Sequence, residues 1–161
     1  MIAPGSPAPE FELHGAQGGS TRCFRLAATR RREAVVLAFA ARRAIERGPP
    51  DGGLLGYLPW FQLTEGVDAW VVSDTARPAV TAARLPGVPV LSDPLATVAG
   101  RYDLSYWSTP GTPHPALYLV DPSGTVRFAD RPTPDALTGS IAALRRTIQH
   151  HTIDTPNQLS A

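Results

Sequence analysis

Four short runs of mainly apolar, often β-branched residues constrain the fold of this chain more than any other feature of its sequence. Strands that are covered on both faces have continuous apolar runs of this length, whereas half-exposed strands alternate apolar and polar residues. The runs therefore predict buried strands at residues 34–39, 67–73, 88–91 and 116–120.

Helical segments are predicted between and after these strands. The clearest covers residues 134–150, where Leu137, Ile141, Leu144 and Ile148 recur at steps of 4, 3 and 4 residues and so share one apolar face. Shorter helices are predicted at residues 54–63, 78–85 and 94–102.

Turn and cap signals separate these elements. Residues 121–124 read Asp-Pro-Ser-Gly, a strong turn signal, so residues 125–129 are predicted to return as the second strand of a hairpin. The glycine-rich residues 14–20 predict a turn after a short strand at residues 11–13. Asp93, directly before Pro94, is interpreted as a helix cap.

Buried strands that alternate with helices predict an α/β fold with parallel crossovers. The late hairpin adds antiparallel strands, so we expect a central mixed sheet flanked by helices. A length of 161 residues is typical of one domain. We assign residues 1–150 to that domain and expect residues 151–161, which lack periodicity, to form a mobile C-terminal tail.

Composition excludes several classes of function. The 15 basic and 14 acidic side chains give a net charge of +1, which predicts neither a nucleic-acid partner nor a membrane surface. The single cysteine, Cys23, rules out an intrachain disulfide, a Cys-x-x-Cys pair and a cysteine-based metal cluster. All the basic residues are arginine, which excludes Schiff-base and lysine general-base mechanisms.

The sequence gives no sign of a membrane segment or of a bound metal. No apolar run reaches the roughly 18 residues of a transmembrane helix, and the first residues do not resemble a signal peptide. We therefore expect a cytoplasmic protein. We expect no metal, because a metal site needs about three protein ligands and His14, His150 and His151 are not near His114 in the sequence. We expect no other cofactor.

Four motifs, in the right order, resemble the peroxiredoxin (alkyl hydroperoxide reductase/thiol-specific antioxidant) form of the thioredoxin fold. Residues 5–13 are similar to the family's Gly-x-x-Ala-Pro-x-Phe-x-Leu start, and residues 34–39 to its Val-Val-Leu-x-Phe strand. Residues 91–94 read Leu-Ser-Asp-Pro as in the family, and residues 116–126 resemble its late hairpin. The resemblance covers about residues 3–148 and implies a thioredoxin-like redoxin domain.

The catalytic motif of that family is missing. Peroxiredoxins continue from this strand into Pro-x-x-x-Thr/Ser-x-x-Cys, and the corresponding positions here hold Ala41, Ile45 and Gly48. An alignment with thioredoxin-like reductases places their two cysteines at Ala44 and Arg47, so neither alignment leaves a thiol. The resemblance therefore implies a peroxiredoxin-like protein that has lost the peroxidatic cysteine.

Two residues before the late strand are candidates for the former thiol pocket. The resemblance implies that Pro115 occupies the cis-proline position of thioredoxin-like proteins, which faces the redox site. It places His114 there too, where an imidazole can act as acid, base or ligand. The alternative for His114 is an ordinary polar loop residue.

Charged residues surround the vacated thiol position. Arg42, Arg43 and Arg47 form either a pocket for a carboxylate or phosphate group or a solvated basic loop. Glu46 either pairs with Arg43 or Arg47 on the surface or serves as a general base where it is desolvated. On the catalytic interpretation, His114 transfers a proton, Glu46 serves as a general base, and Arg42 or Arg43 holds the anion.

Aromatic residues give a second, ambiguous signal. Tyr106 and Trp107, with Tyr102, precede a Pro/Gly-rich loop and either line a ligand pocket or cover a sheet edge or a dimer contact. Cys23 is interpreted first as a small buried hydrophobic residue. The alternative is a reactive thiol, favoured by Arg22 and Arg25.

Three functional hypotheses follow. The first is a function in the former thiol pocket: either non-redox chemistry on a small organic molecule, such as a step of a biosynthetic pathway, or binding of such a molecule. An anionic molecule is one form of this ligand. The second is a non-catalytic binding or regulatory module, with a homodimer as one form. The third is a one-cysteine thiol peroxidase that uses Cys23.

Overall fold

The computed structural model describes residues 1–47, 53–106 and 113–159, with side chains up to residue 150 apart from Thr64. The strands are β1 Glu12–Gln17, β2 Ser20–Arg25, β3 Val35–Phe39, β4 Asp68–Ser73, β5 Val90–Ser92, β6 Ala116–Val120 and β7 Val126–Asp130. The helices are α1 Leu26–Arg30, α2 Arg42–Arg47, α3 Leu58–Thr64, α4 Pro78–Ala82, α5 Thr97–Arg101 and α6 Leu137–Leu159. Short 3₁₀ turns, Leu54–Tyr57 and Pro134–Ala136, precede α3 and α6.

Within these residues the strands form one mixed sheet in the order β2-β1-β5-β4-β3-β6-β7. The central strands β3, β4 and β5 are parallel, while β1, β2, β6 and β7 pair antiparallel with their neighbours. The predicted fold class, a mixed α/β sheet flanked by helices, is confirmed. Each of the four apolar runs overlaps a strand of this sheet, and residues 126–130 return as the second strand of the predicted hairpin.

Two layers of apolar side chains cover the sheet. Alternate residues of β4 point to opposite faces, as strand geometry requires. Val71 belongs to the layer packed against α3, α4 and α6, and Trp70 belongs to the opposite layer. Trp70 is fully buried and makes edge contacts with Phe11 and Phe24. This double coverage explains why the central strands have continuous apolar runs.

Several local predictions are wrong. Residues 14–20 are not one turn: β1 runs to Gln17, only Gly18 and Gly19 form the turn, and β2 follows. Gly18 has φ +58°, a conformation that glycine adopts without strain. The helices α1 and α2 were not predicted.

The helix predicted at residues 94–102 begins later, at Thr97, because Ala96 adopts φ 55°. Asp93 nevertheless caps it: its two carboxylate oxygens accept hydrogen bonds from the backbone N–H groups of Val98 (3.1 Å) and Ala99 (3.0 Å). Asp93 therefore satisfies N–H groups of the first turn, but Ala96 and not Asp93 holds the N-cap position, and the helix is shorter than predicted. The last helix, α6, continues to Leu159, and the mobility of residues 151–161 stays a prediction.

No helix in the described part of the chain combines the length and the apolar character needed to cross a membrane.

Candidate functional site

A cleft of about 410 Å³ opens between α2 and α4, beyond the carboxyl ends of the parallel strands β3 and β4. Ligands of open α/β sheets bind in crevices at this end of the strands. The residues that line it are Arg42, Glu46, Asp74, Thr75, Ala76, Arg77, Val80 and Thr81.

The sequence around α2 explains why this helix presents charges to the cleft. Ala41 and Ile45 are buried, at 4% and 3% exposure, and fix the helix to the core. Arg42, Arg43, Glu46 and Arg47 are exposed. Of these, Arg42 and Glu46 reach the cleft from one helical turn. The guanidinium Nη1 of Arg42 lies 3.3 Å from Oε1 of Glu46. Both side chains are about half exposed, so this pair contributes only about 0.3–0.5 kcal/mol.

Asp74 joins the two sides of the cleft. It follows β4 directly, and its Oδ1 accepts a 2.7 Å hydrogen bond from the backbone N–H of Arg42. The first N–H of α2 is therefore occupied by a carboxylate of the same chain. An anion in the cleft cannot use that N–H, and the cationic groups that line the cleft are the side chains of Arg42 and Arg77.

Two threonines fix the α4 side of the cleft. The hydroxyl of Thr75 accepts hydrogen bonds from the backbone N–H of Arg77 (3.1 Å) and from the Thr81 hydroxyl (2.8 Å). The Ser92 hydroxyl donates to the carbonyl oxygen of Thr75 at 2.6 Å, which ties this loop to β5. Thr75 and Thr81 are buried, whereas the Arg77 side chain is exposed and has no acidic partner among the described residues.

A buried polar pair lies in the core layer on the other face of the sheet. The hydroxyl of Tyr106 donates to Oδ2 of Asp93 at 3.1 Å, and both residues are almost fully buried. Burial raises the pKa of Tyr106, and the charges of Asp93 and Asp74 raise it further, so the phenol stays protonated. This contact holds the Asp93 carboxylate that caps α5.

The structure brings together only part of the predicted site. Of the predicted residues, Arg42 and Glu46 line the cleft. Arg43, Arg47 and His114 are exposed and Pro115 is half-buried, and none of these lines it. His114 and Pro115 directly precede β6, whose first residue pairs with Phe39, the last residue of β3.

Tyr106 lies in the core rather than on the cleft wall, and its predicted role in substrate binding stays a prediction. The predicted site residue Trp107 and the cysteine position Gly48 lie outside the described residues. Sequence reasoning missed Asp74, Thr75, Arg77 and Thr81. The available signal was that polar residues directly follow a buried strand and precede Pro78, a helix start.

The interpretation of Cys23 as a buried hydrophobic residue is wrong. Its side chain is exposed on the edge strand β2, with Sγ 3.8 Å from Nδ1 of His14 on β1. The flanking guanidinium groups are engaged elsewhere, since Arg22 lies over the Phe24 ring and Arg25 pairs with Glu12. Strand β2 is four strand spacings from β3, roughly 19 Å at ~4.8 Å per strand.

Among the residues with described side chains, no three His, Cys, Asp or Glu residues lie close enough together to hold a metal ion.

The sheet order, the parallel strands β3, β4 and β5, and the helix that follows β3 define a thioredoxin-like α/β protein. Solved structures that share this architecture over nearly the whole chain include peroxiredoxins. The mitochondrial 2-Cys peroxiredoxin of Plasmodium falciparum matches with a TM-score of 0.72 and 14% identity, covering 95% of this chain and 96% of that one.

Further matches are of the same kind. Thioredoxin peroxidase I of Plasmodium yoelii gives a TM-score of 0.67 at 19% identity, covering 93% of this chain and 92% of that one. AhpC of Enterococcus faecalis gives 0.67 at 13% identity, covering 96% of each chain. No family model and no curated protein matches the sequence. The predicted resemblance to peroxiredoxins is thus confirmed at the level of the fold.

Proposed function

We propose that the cleft between α2 and α4 binds a small organic molecule with an anionic group, without thiol redox chemistry. The observation that carries the proposal is the Arg77 guanidinium, which lines the cleft on the α4 side and has no acidic partner among the described residues. Arg42 lines the same cleft from α2. The two guanidinium groups provide planar, always-charged donors that match a carboxylate or a phosphate.

The dimensions of the cleft support a small occupant. Its volume of about 410 Å³ lies within the roughly 300–1,000 Å³ typical of small-molecule sites. Thr75, Thr81 and Val80 are also part of the lining. A few polar groups beside a short apolar surface suit a metabolite-sized molecule rather than a peptide or a nucleic acid.

The position of the thiol supports a function without thiol chemistry. The only cysteine of the chain is Cys23, which lies on β2, four strand spacings or roughly 19 Å from β3 across the sheet. The position of the family's conserved threonine holds Ile45, which is buried in the core and presents no hydroxyl.

Binding is tested with succinate, citrate and inorganic phosphate as probes, by isothermal titration calorimetry. We expect at least one of these anions to bind, and we expect Arg77→Gln to weaken that binding about tenfold or more, because it removes one charge-assisted interaction. Arg84→Gln is the matched control, since Arg84 is an exposed arginine that follows α4 and does not line the cleft. Failure of all three anions, or equal losses in both variants, would contradict the proposal.

Catalysis on the bound molecule is the stronger form of this function. It assigns anion binding to the arginines and proton transfer to His114, which precedes β6 and does not line the cleft, so it requires a molecule that extends from the cleft to this imidazole. Under it, His114→Ala removes turnover while Cys23→Ser retains it. The opposite pattern would place the chemistry at the thiol.

One observation favours a second candidate function, a thiol peroxidase that uses Cys23. The thiol is exposed, and the imidazole of His14 lies 3.8 Å from it. In that case peroxide reduction would require Cys23 and would be unaffected by Arg77→Gln.

A further inference from the structure

We infer that the molecule bound in this cleft is amphoteric: it carries an ammonium or a similar cationic N–H donor beside its anionic group, as an amino acid does. This inference rests on the proposed function, because it specifies the ligand class of the same site. It follows from the charges of the lining and from Oδ2 of Asp74, which accepts no hydrogen bond from the described residues.

The cleft is not simply basic. Its lining holds two guanidinium groups, from Arg42 and Arg77, and two carboxylates, from Glu46 and Asp74. A ligand with only negative charge would be attracted by the first pair and repelled by the second. Like charges brought together at an interface oppose binding, whereas complementary charges select the partner. A ligand with both signs of charge satisfies both pairs.

Asp74 provides the specific acceptor. Its Oδ1 accepts the hydrogen bond from the backbone N–H of Arg42, and Oδ2 accepts none from the described residues. An ionised carboxylate has about four acceptor positions. Because Asp74 is only partly exposed, a donor from the ligand would replace water at this oxygen in a partly dry environment.

Arg77, three residues after Asp74, provides the positive charge that would bind the anionic group of the ligand. The hydrogen bond from its backbone N–H to the Thr75 hydroxyl fixes the start of α4, so that Asp74 and Arg77 line one cleft with opposite charges. The lining also includes Ala76 and Val80, short apolar side chains that suit methylene groups. None of the described residues that line the cleft is aromatic, so recognition of a flat ring by stacking is not part of the inference.

The test compares two probes that differ by one ammonium group. Calorimetric titration is carried out with L-aspartate and with succinate on the wild-type protein, Asp74→Asn and Arg77→Gln. We expect the wild-type protein to bind aspartate at least about tenfold more tightly than succinate. Asp74→Asn keeps an oxygen for the Arg42 N–H but loses the charge, so we expect it to remove this preference. We expect Arg77→Gln to weaken the binding of both probes.

Two controls keep the outcome interpretable. Asp103→Asn removes an exposed carboxylate outside the cleft, and asparagine tolerates the φ of 55° found there, so the preference should survive. Glu46→Gln replaces the second acidic residue and serves as the test variant where Asp74→Asn does not fold. We then expect Glu46→Gln to reduce the preference for aspartate.

The possible results separate the two proposals. Succinate binding that equals or exceeds aspartate binding, with both weakened by Arg77→Gln, would overturn the amphoteric ligand and leave the anion site intact. A preference for aspartate that persists in Asp74→Asn and in Glu46→Gln would also overturn it. Absence of binding by both probes, together with citrate and phosphate, would overturn the proposed function itself.

Discussion

The backbone N–H of Arg42 donates a 2.7 Å hydrogen bond to Oδ1 of Asp74, which joins the first residue of α2 to the end of β4. Helix α2 has only six residues, and short helices depend on contacts outside themselves. The position of Arg42 and Glu46 in the cleft therefore depends on the side chain of Asp74, which follows β4 and is not part of α2.

Removing this acceptor should destabilise the protein. We expect Asp74→Ala to lower the free energy of unfolding by about 1–2 kcal/mol, the usual effect of removing a side chain that satisfies a helix N–H. Asp74→Asn keeps an oxygen in the same place and should cost less than about half as much. The measurement is urea unfolding at pH 7, and equal losses in the two variants would show that the hydrogen bond is not the cause.

Asp121 makes stability depend on pH in the acidic range. Burial raises the pKa of its carboxyl, but hydrogen bonds from Ser123, Arg127 and Thr125 outweigh burial and lower it. A carboxyl whose pKa is lower in the folded than in the unfolded state stabilises the protein above the unfolded pKa, which is about 3.9. That contribution is lost as the pH falls through the folded value.

Urea unfolding at pH 7 and pH 3 should therefore show a smaller loss of stability in Asp121→Asn than in the wild-type protein. At pH 7 the substitution itself should cost about 2 kcal/mol, because it weakens several charge-assisted hydrogen bonds in the β6–β7 turn. Asp135→Asn, at an exposed site in the turn before α6, is the matched control. The same pH dependence in all three proteins would contradict this assignment.

Tyr106 should matter for stability and not for ligand binding. We expect Tyr106→Phe to lower the free energy of unfolding by about 1–2 kcal/mol, because a buried hydrogen bond to the charged Asp93 is lost. We expect its affinity for anions to match that of the wild-type protein, because Tyr106 does not line the cleft. A tenfold loss of affinity without loss of stability would instead support the substrate-binding role predicted from the sequence.

The central strands of the sheet could be predicted from the sequence, because strands that are covered on both faces have continuous apolar runs. It was insufficient for β2, where Ser20, Thr21, Arg22 and Cys23 are exposed on the edge of the sheet and only Phe24 is buried. An edge strand that packs against one neighbour needs no apolar run. Of β2 only Ser20 fell within the predicted turn, and residues 21–25 were assigned to no element.

Part of the candidate site could likewise be predicted from the sequence, and part could not. Arg42 and Glu46 could be predicted because the resemblance locates the segment after β3. Asp74 and Arg77 belong to no motif, and their role depends on β4 lying beside β3, which is a property of the sheet order. Cys23 was assigned to the interior from the general behaviour of cysteine, whereas the pairing of β1 with β2 places it outside, opposite His14.

Oxidation of Cys23 discriminates between the proposed cleft function and the thiol peroxidase. The thiolate is the form that attacks peroxide, and nearby guanidinium groups promote it. Here the Arg22 guanidinium lies 3.8 Å over the Phe24 ring and the Arg25 guanidinium pairs with Glu12. Each guanidinium group is therefore engaged with a partner other than the Cys23 sulfur. We expect hydrogen peroxide to oxidise Cys23 no faster than a small free thiol at the same pH, as followed by intact mass. Oxidation that is orders of magnitude faster, and that His14→Ala abolishes, would assign peroxide chemistry to this pair and move the active site to the β1–β2 edge.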